Sequence, residues 1–395
     1  MEILFLSTEG FRNLLNGKVE LHPRLNLIVG DNGQGKTNFL EALALVSGRP
    51  SFRTHELAVA RQHHAARAVV SARLRDDAGD PRNDATLGFV YAGGAREQYR
   101  DGKRVPRLTA ARCLPAVFFT ARDLSRLSGP PAERRRALDR AALALWPEHA
   151  RALLAYERAR AAKARLLSLG ARFDADELAV YETALAETGG LVAAQRRAAR
   201  ARLEQEIARH AEDLGTPFRN LSLELVSDLP AAGDAAELGA ALAVLLRSRK
   251  SDERRARRCL VGPHRDDAVL RADGMPLASR ASSGETRTLL LAWTLAEMSL
   301  MAGGGRTPIL GFDDFDSEWD PRLLGAFAEA LPEDGQVFLT SARPAAVRGL
   351  PLPAGAIYRM TAGRLLREGI LGAGRSAERR DVAVGAAAAA GARPR

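Results

Sequence analysis

Apolar and polar positions divide the chain into three stretches of different character. Short apolar or alternating runs separated by Gly, Pro and Asp fill the first stretch and predict β-strands joined by turns. From about residue 132 to 212, apolar residues recur at three- and four-residue spacing among Ala, Arg and Glu, which predicts amphipathic helices. From 259 to 370 predicted strands and helices alternate. The pattern therefore predicts an α/β protein interrupted by a helical insertion.

The individual predicted elements follow from the same spacing. Strands are predicted at 2–8, 17–21, 25–29, 67–74, 86–92, 97–105, 117–119, 221–226, 266–271, 308–312, 336–340, 356–360 and 364–367. Helices are predicted after residue 37, within 132–212, and at 234–249, 284–301 and 321–330. The strands between 67 and 105 read as an antiparallel meander, and the low-complexity tail at 373–395 is predicted to be disordered. Gly170 and Gly189-Gly190 are predicted to interrupt the helices, which favours a compact bundle over a long coiled coil.

The most informative motif lies between the apolar strand at 25–29 and the helix that follows it. It reads Gly30-Asp31-Asn32-Gly33-Gln34-Gly35-Lys36-Thr37 and continues into Asn38. A loop of this kind between strand and helix is typical of a phosphate-binding loop, because its N–H groups and the helix N-terminus point at phosphates. Lys36 is predicted to reach the β- and γ-phosphates of ATP, and Thr37 to hold Mg²⁺. The chain has only 5 lysines against 53 arginines, so a lysine at this position argues against a chance turn.

A second motif places two carboxylates after a buried strand, in Pro308-Ile309-Leu310-Gly311-Phe312-Asp313-Asp314. Asp313 is predicted to bind Mg²⁺ through water, and Asp314 to orient or deprotonate the attacking water. Asp at a strand end is also common in plain turns. The phosphate-binding loop elsewhere in the chain favours the functional interpretation.

A third motif, Ser282-Ser283-Gly284-Glu285, precedes a strongly apolar helix. One interpretation is a helix cap in which Ser and Glu satisfy free backbone amides. The other is the signature of ABC-type ATPases, in which Ser282, Ser283 and Gly284 receive the γ-phosphate of a nucleotide held by a second subunit. Ser317-Glu318-Trp319-Asp320, after the acidic pair, occupies the position of the D-loop.

Composition limits the partners and the compartment. The net charge of +10 favours a polyanionic partner, nucleic acid first, although the excess of Arg over Lys also fits a GC-rich genome. Two arginine clusters are candidate DNA contacts, Arg134-Arg135-Arg136 and Arg254-Arg255-Ala256-Arg257-Arg258, with solvated surface as the alternative. Only Cys113 and Cys259 are present, without a CxxC, and no apolar run of about 18 residues occurs. A cytoplasmic protein without a membrane span is expected.

The chain resembles the RecF family of recombination mediator ATPases, short-armed relatives of the SMC proteins. The residues that carry the resemblance include Phe11-Arg12-Asn13, the phosphate-binding loop with Leu40-Glu41, the acidic pair and the final strands. Pro131-Ala132-Glu133-Arg134-Arg135-Arg136 with Leu138-Asp139, and Gly262-Pro263-His264-Arg265-Asp266-Asp267, also fit the family, over roughly residues 1–370. Three positions depart from the usual pattern: Glu285 in the signature, the Thr120–Leu124 segment at the Q-loop, and Thr340 where many ABC ATPases carry a switch histidine.

The resemblance implies a weak, Mg²⁺- and DNA-dependent ATPase with Arg12 in the nucleotide site. It also implies binding to double-stranded or gapped DNA and loading of RecA together with RecO and RecR. One phosphate-binding loop and one signature per chain predict that two chains sandwich two ATP molecules as a homodimer. The predicted lobes are an ABC-type ATPase lobe at 1–130 and 255–370 and a mainly helical lobe at 131–254, with His264 and Arg265 bracing them. The alternative, a nucleotide-binding subunit of an ABC transporter, is disfavoured by Thr340.

Overall fold

The structure is a computed structural model that describes residues 2–54, 56–75, 84–124, 127, 129–170, 175–303, 307–317, 319–343, 347 and 349–372. The predicted disordered tail at 373–395, and Glu318 of the predicted D-loop, lie outside the described residues.

The strands and helices follow the predicted alternation. The strands are β1 (Glu2–Glu9), β2 (Gly17–Glu20), β3 (Leu25–Val29), β4 (Arg67–Arg75), β5 (Ala85–Ala92), β6 (Ala95–Arg100), β7 (Lys103–Val105), β8 (Ala116–Phe119), β9 (Leu221–Val226), β10 (Asp267–Ala272), β11 (Met275–Pro276), β12 (Ile309–Phe312), β13 (Val337–Ser341), β14 (Gly355–Thr361) and β15 (Arg364–Leu371). The helices are α1 (Lys36–Val46), α2 (Arg107–Cys113), α3 (Pro131–Leu145), α4 (His149–Ser168), α5 (Ala175–Asp213), α6 (Ala235–Ser248), α7 (Lys250–Ala256), α8 (Ser283–Gly303) and α9 (Pro321–Ala330).

A mixed sheet with the order β15-β14-β3-β13-β12-β8 forms the centre of the molecule. Strand β3 lies parallel to both β13 and β14, and all five of its residues are buried. A strand covered on both faces needs apolar residues at almost every position, which explains the run Leu25-Asn26-Leu27-Ile28-Val29, where Asn26 is the one polar residue. Since β8, β12, β13, β3 and β14 are parallel, their carboxyl ends meet at one edge of the sheet.

Successive side chains of the central strands point to opposite faces and separate two hydrophobic cores. Leu25 and Leu27 belong to one core with residues of α3, α5, α8 and α9. Ile28 belongs to the other, with α1 and the strands of a second sheet. That second sheet is antiparallel, with the order β2-β1-β4-β5-β6-β7, and it confirms the predicted meander.

The helical stretch differs from the prediction at the glycine pair. Gly189-Gly190 does not interrupt a helix, because α5 continues through it from Ala175 to Asp213. A Cβ on Gly190 would lie 2.3 Å from the Ala235 carbonyl oxygen and 2.6 Å from the Gly239 nitrogen. The glycines therefore let α6 cross α5 at backbone contact, a use that outweighs their low helix propensity.

The α/β fold with an ABC-type arrangement is confirmed, and no long coiled coil is present among the described residues. Strand β9, which precedes α6, pairs with β10 of the later α/β stretch. The division into an ATPase lobe and a helical lobe stays a prediction. In the part of the chain that the structure describes, no helix is long and apolar enough to cross a membrane.

Candidate nucleotide-binding site

The phosphate-binding loop connects the carboxyl end of β3 to α1, as predicted. Gly33 and Gly35 adopt positive φ angles of 80° and 119°, which glycine tolerates at little cost. The helix begins at Lys36, directly after Gly35, so its first free N–H groups face the loop. Ligands of parallel α/β sheets bind at this edge, outside the carboxyl ends of the strands.

Lys36 is 4% exposed and its ammonium group lies inside the loop. Nζ donates to the carbonyl oxygens of Gly30 at 2.8 Å and Asp31 at 3.2 Å. The same atom lies 3.7 Å from Oδ1 of Asp314. The positive charge is thus held at the centre of the loop, between the loop backbone and the acidic pair.

Thr37 connects the loop to the acidic pair. Its hydroxyl donates to Asp313, with Oδ1 and Oδ2 at 3.0 and 2.9 Å. Since β13 lies between β3 and β12, this contact spans two strand positions of the sheet. Hydroxyl and carboxylate oxygens at one point are a donor set that Mg²⁺ prefers.

Thr340, at the end of β13, holds both members of the acidic pair. Its hydroxyl donates to Oδ1 of Asp313 at 2.8 Å and accepts from the Asp314 backbone nitrogen at 2.8 Å. Burial, and then the charge of Asp314, raise the pKa of Asp313, while the hydrogen bonds from Thr340 and Thr37 act in the opposite direction. A divalent cation beside Asp313 would relieve this unfavourable burial of charge, so the residues present fit the predicted metal.

Asp314 has an unusual backbone and an unusual side chain. Its φ of 44° lies in the left-handed region, which Asp and Asn adopt more readily than other non-glycine residues. Its Oδ1 is buried and makes no hydrogen bond among the described residues. A strained residue with an unsatisfied acceptor, beside Lys36, is typical of a functional position.

The terminal hairpin closes over the loop, a contact that the sequence analysis did not foresee. The Gln34 carbonyl accepts from the Gly363 nitrogen at 2.9 Å, and its side chain accepts from the Ala362 nitrogen at 2.6 Å. A Cβ on Gly363 would overlap the Asn13 carbonyl oxygen at 1.8 Å. The residues around Asn13, the phosphate-binding loop and the turn after β14 therefore form one packed unit.

Arg12 and Asn38 occupy the flank of the site. Arg12 makes a two-pronged ion pair with buried Glu41, at 2.8 Å for each pair of atoms, and donates to the Val59 carbonyl. Asn38 donates to the Asn13 side chain at 2.7 Å and accepts from Arg53. Arg12 thus lies near the loop and is held by the first turns of α1; its contact with nucleotide stays a prediction.

The signature segment, Ser282 to Glu285, forms a capping box, as predicted by the interpretation of this segment as a helix cap. Ser282 donates its backbone N–H to Glu285 Oε2 at 2.8 Å, and the Glu285 nitrogen donates to the Ser282 hydroxyl at 3.3 Å. Hydrogen bonding to Ser282 lowers the pKa of Glu285 and keeps its carboxylate charged. Ser282, Ser283 and Gly284 remain exposed at the start of α8. The cap leaves their solvent-facing side accessible, so the two interpretations are compatible.

The Thr120–Leu124 segment is held by a local cap. Asp123 accepts from the Thr120 backbone nitrogen at 2.5 Å and from the Thr120 hydroxyl at 3.1 Å. Thr120 follows β8, at the same sheet edge as Asp313, whose nitrogen donates to the Phe119 carbonyl. Trp319 of the predicted D-loop packs against Phe119, and Asp320 caps α9.

The first arginine cluster is engaged within the fold. Arg134 is 9% exposed and pairs with Asp267 at 2.7 and 2.8 Å. Arg135 donates to the Asp266 carbonyl at 2.7 Å, and Arg136 pairs with Glu133. Arg134 therefore does not present the solvent-facing donors that the predicted DNA contact requires. The sequence pattern did not reveal this, since Asp267, the partner of Arg134, is 133 positions away along the chain.

A buried polar network joins the two blocks at 134–139 and 262–267 that carry part of the family resemblance. Arg196 pairs with Asp139 at 2.7 and 2.9 Å and donates to the Pro263 carbonyl at 2.6 Å. Burial alone would raise the pKa of Asp139, but Arg196 and His149 bring it down to about 2. His264 accepts from, or donates to, the Tyr156 hydroxyl at 2.6 Å. The network connects α3, α4 and α5 to the segment before β10, in agreement with a bracing role for His264.

The second arginine cluster lies on the surface. Arg254, Arg255, Arg257 and Arg258 are all exposed at and after the end of α7. Arg255 lies 3.2 Å from Asp252. This cluster fits the predicted DNA contact better than residues 134–136, and its role stays a prediction.

Three hydrogen bonds at the site were not predicted from the sequence. They join Thr340 to the acidic pair, Gln34 to the turn after β14, and Ser341 to buried Asp316 at 2.8 Å. Thr340 and Ser341 end a buried parallel strand. Polar residues at such a strand end are the one signal that could have identified them.

A parallel-sheet phosphate-binding loop, an acidic pair after a strand two positions away in the sheet and a capped signature helix define the ATPase head of an ABC-type, SMC-like protein. The family model for the RecF/RecN/SMC N terminal domain matches residues 3–361. The chain belongs to the RecF family. It is 35% identical over 381 residues to the DNA replication and repair protein RecF of Anaeromyxobacter sp. (strain Fw109-5), covering 92% of this chain and 98% of that protein. The RecF of Myxococcus xanthus is 33% identical over 359 residues, covering 88% and 93% of the two chains.

Solved structures show the same fold. The recombination mediator protein RecF-ATPrS of the RecFOR pathway superposes with a TM-score of 0.81 at 23% identity, covering 92% of this chain and 97% of that chain. An Smc head bound to the C-winged helix domain of ScpA superposes with a TM-score of 0.54 at 15% identity, covering 93% and 97%. The predicted family and fold are thereby confirmed.

Proposed function

We propose that this chain is an ATP-dependent DNA-binding protein of recombinational repair that acts as a homodimer in the cytoplasm. The hydrogen bond of Thr37 to Asp313 carries the proposal. It brings the phosphate-binding loop after β3 together with the acidic pair after β12, and their hydroxyl and carboxylate oxygens suit Mg²⁺. RecF relatives are DNA replication and repair proteins, and related structures are of RecF with ATP or ATPrS. Both observations support ATP as the nucleotide.

In the proposed site the loop amides of residues 30–38 and Lys36 bind the phosphates, and Thr37 and Asp313 hold the metal. The metal, when bound, neutralises charge on the β- and γ-phosphates. Asp314 accepts a proton from the water that attacks the γ-phosphorus, and the bond to the β-phosphate oxygen breaks. Its buried, unsatisfied Oδ1 is the acceptor that this role requires. ADP and phosphate leave, and turnover is slow and stimulated by DNA.

Ser282, Ser283 and Gly284 are exposed at the start of α8, where Ser282 also takes part in the cap, and this helix N-terminus is open to the γ-phosphate held by a second copy. Two chains then enclose two ATP molecules, and the closed dimer clamps duplex or gapped DNA. Hydrolysis releases the clamp. With RecO- and RecR-type mediators, this cycle would place RecA on DNA.

Replacing Ser283 with Arg tests the sandwich. Ser283→Arg is expected to leave ATP binding by the monomer intact and to abolish ATP-dependent dimerisation, measured by light scattering. The matched control is Ser248→Arg, at the exposed end of α6, which should still dimerise. Dimerisation of Ser283→Arg with ATP would contradict the sandwich, and failure of the unaltered chain to bind ATP would contradict the function itself.

A further inference from the structure

Three arginines recur at seven-residue spacing along α4: Arg151, Arg158 and Arg165. Seven residues are about two helical turns, so the three lie on one side of the helix, about 10.5 Å apart. All three are exposed. Within the described part of the chain, none of their side chains makes a hydrogen bond or an ion pair. Elsewhere, as with Arg134 and Arg196, guanidinium groups are held by carboxylates.

The rest of this side of α4 carries no acid. Its other exposed residues are Leu154, Ala155, Ala161 and Ser168, followed by Leu169 just past the end of the helix. The carboxylate of Glu157 lies off this side and is paired with Arg160 at 2.6 Å, and Glu148 precedes the helix. The three charges therefore stand in a row without counterions among the described residues, and the other exposed side chains on this side are uncharged.

Two more exposed arginines continue the row past the end of α4. A Cβ on Gly170 would lie 3.7 Å from Nη2 of Arg257. Cys259 Sγ lies 3.7 Å from the Arg160 carbonyl oxygen. Arg258 is exposed beside Arg257 and, among the described residues, its side chain has no ion-pair partner.

A buried ion pair fixes the two segments relative to each other. Lys163 of α4 is fully buried, with Nζ 2.6 Å from Glu253 of α7 and 3.1 Å from Glu182 of α5. The five arginines therefore form one rigid surface, which we call the arginine face: Arg151, Arg158, Arg165, Arg257 and Arg258.

A row of unpaired guanidinium groups recognises a row of anions. The three α4 arginines span about 21 Å, close to six base-pair steps of about 3.4 Å each. The face has no Asn, Gln or aromatic side chain that could read or stack on bases. We propose that the arginine face contacts the backbone phosphates of duplex DNA without reading sequence, an inference that rests on the proposed function.

The test is the salt dependence of DNA binding by the full chain. The probe is a fluorescein-labelled duplex of mixed sequence about three helical turns long, followed by anisotropy with ATP and Mg²⁺ over a series of NaCl concentrations. Each phosphate contact contributes about 0.9 to the slope of log K against log salt. The triple Arg→Gln variant at 151, 158 and 165 is expected to bind more weakly and to have a slope shallower by about 2.7.

Two variants control for charge and folding. Arg→Gln at Arg96, Arg202 and Arg219 removes the same charge from other exposed positions, and its slope should stay near that of the unaltered chain. Arg→Lys at 151, 158 and 165 keeps the charge and should keep the slope. Both triple Gln variants should retain their ATP affinity and melting temperature, since all six positions are exposed.

The outcomes separate this inference from the proposed function. If the unaltered chain binds the duplex and the α4 variant retains the full slope, the face serves another partner, such as an acidic protein, and the inference is overturned. An equal loss of DNA affinity and slope in the α4 variant and in the control triple Gln variant would also overturn the inference, because binding would then depend only on net charge. If the unaltered chain does not bind duplex DNA, the proposed function fails and this inference fails with it.

Discussion

The hydroxyl of Thr340 donates to Oδ1 of Asp313 at 2.8 Å and, through the same oxygen, holds the backbone of Asp314. Thr340 is fully buried at the end of β13, between the strand of the phosphate-binding loop and the strand of the acidic pair. A residue in this place sets the position of both carboxylates at once. Where many ABC ATPases use a histidine after this strand, this chain uses a hydroxyl to orient the acidic pair.

Thr340→Val should therefore slow ATP hydrolysis while leaving the phosphate-binding loop intact. Loss of a hydrogen bond that orients a metal-binding carboxylate typically costs about 10- to 100-fold in activity. The measurement is phosphate release at saturating ATP, together with ATP affinity by titration. Thr340→Ser keeps the hydroxyl and should retain most of the rate; equal loss in both variants would point to packing instead.

Lys163→Met should destabilise the fold strongly. The substitution leaves Glu253, which is 1% exposed, and Glu182 without their buried cation. Breaking one side of a buried pair costs about 3–5 kcal/mol. Urea unfolding followed by circular dichroism measures the change. Lys103→Met, at an exposed position, should change stability by less than about 0.5 kcal/mol.

Gly190→Ala is expected to destabilise the protein although Ala favours helices. The new methyl group would meet the backbone of Ala235 and Gly239, which cannot move aside as a side chain can, and overpacking of this kind costs about 1–3 kcal/mol. Gly325→Ala, inside α9, meets nothing within 4 Å and should stabilise by about 0.5–1 kcal/mol. In thermal melts, Gly190→Ala should lower the melting temperature and Gly325→Ala should raise it. A shift in the same direction for both would contradict the contact of α5 with α6 at Gly190.

The stability of the fold should fall as pH drops from 6.5 to 4. Burial, reinforced by the charge of Arg160, lowers the pKa of His264 to about 4, and burial with Arg209 lowers that of His210 to about 4. In this window the unfolded chain binds protons that the folded ring does not, so stability rises with pH through it. The contribution of His264 between about pH 7.5 and pH 5 is on the order of 2 kcal/mol.

His264→Gln should remove that part of the pH dependence, whatever its effect at neutral pH. The measurement is the difference in unfolding free energy between about pH 7.5 and pH 5, obtained from urea unfolding curves. His64→Gln, an exposed position, is the control and should keep the dependence of the unaltered chain. An unchanged pH dependence in His264→Gln would contradict this account, because it would show that the ring takes up its proton at the same pH in the folded and unfolded states.

Local patterns sufficed for the phosphate-binding loop and most strands, because each is defined by contiguous residues. Strand β3 and residues 30–37 needed only their own sequence to be identified. Interactions between distant segments could not be predicted in this way, because the partners are not contiguous in sequence. Gly190 reads as a helix breaker until α6 is seen against it, and Arg134 reads as a surface charge until Asp267 is placed beside it. The Ser282–Glu285 hydrogen bonds, by contrast, were predictable because both residues lie within one turn.

Strand β3 has one consequence for the synthesis of the protein. Its two neighbours in the sheet, β13 and β14, follow it by more than 300 residues. On the ribosome, the loop at 30–37 therefore emerges long before the strands that fix it and before the turn at Gly363 that packs against it. Contacts of such wide sequence separation form slowly. The proposed nucleotide site would therefore be incomplete in a nascent chain until residues 337–361 had been translated.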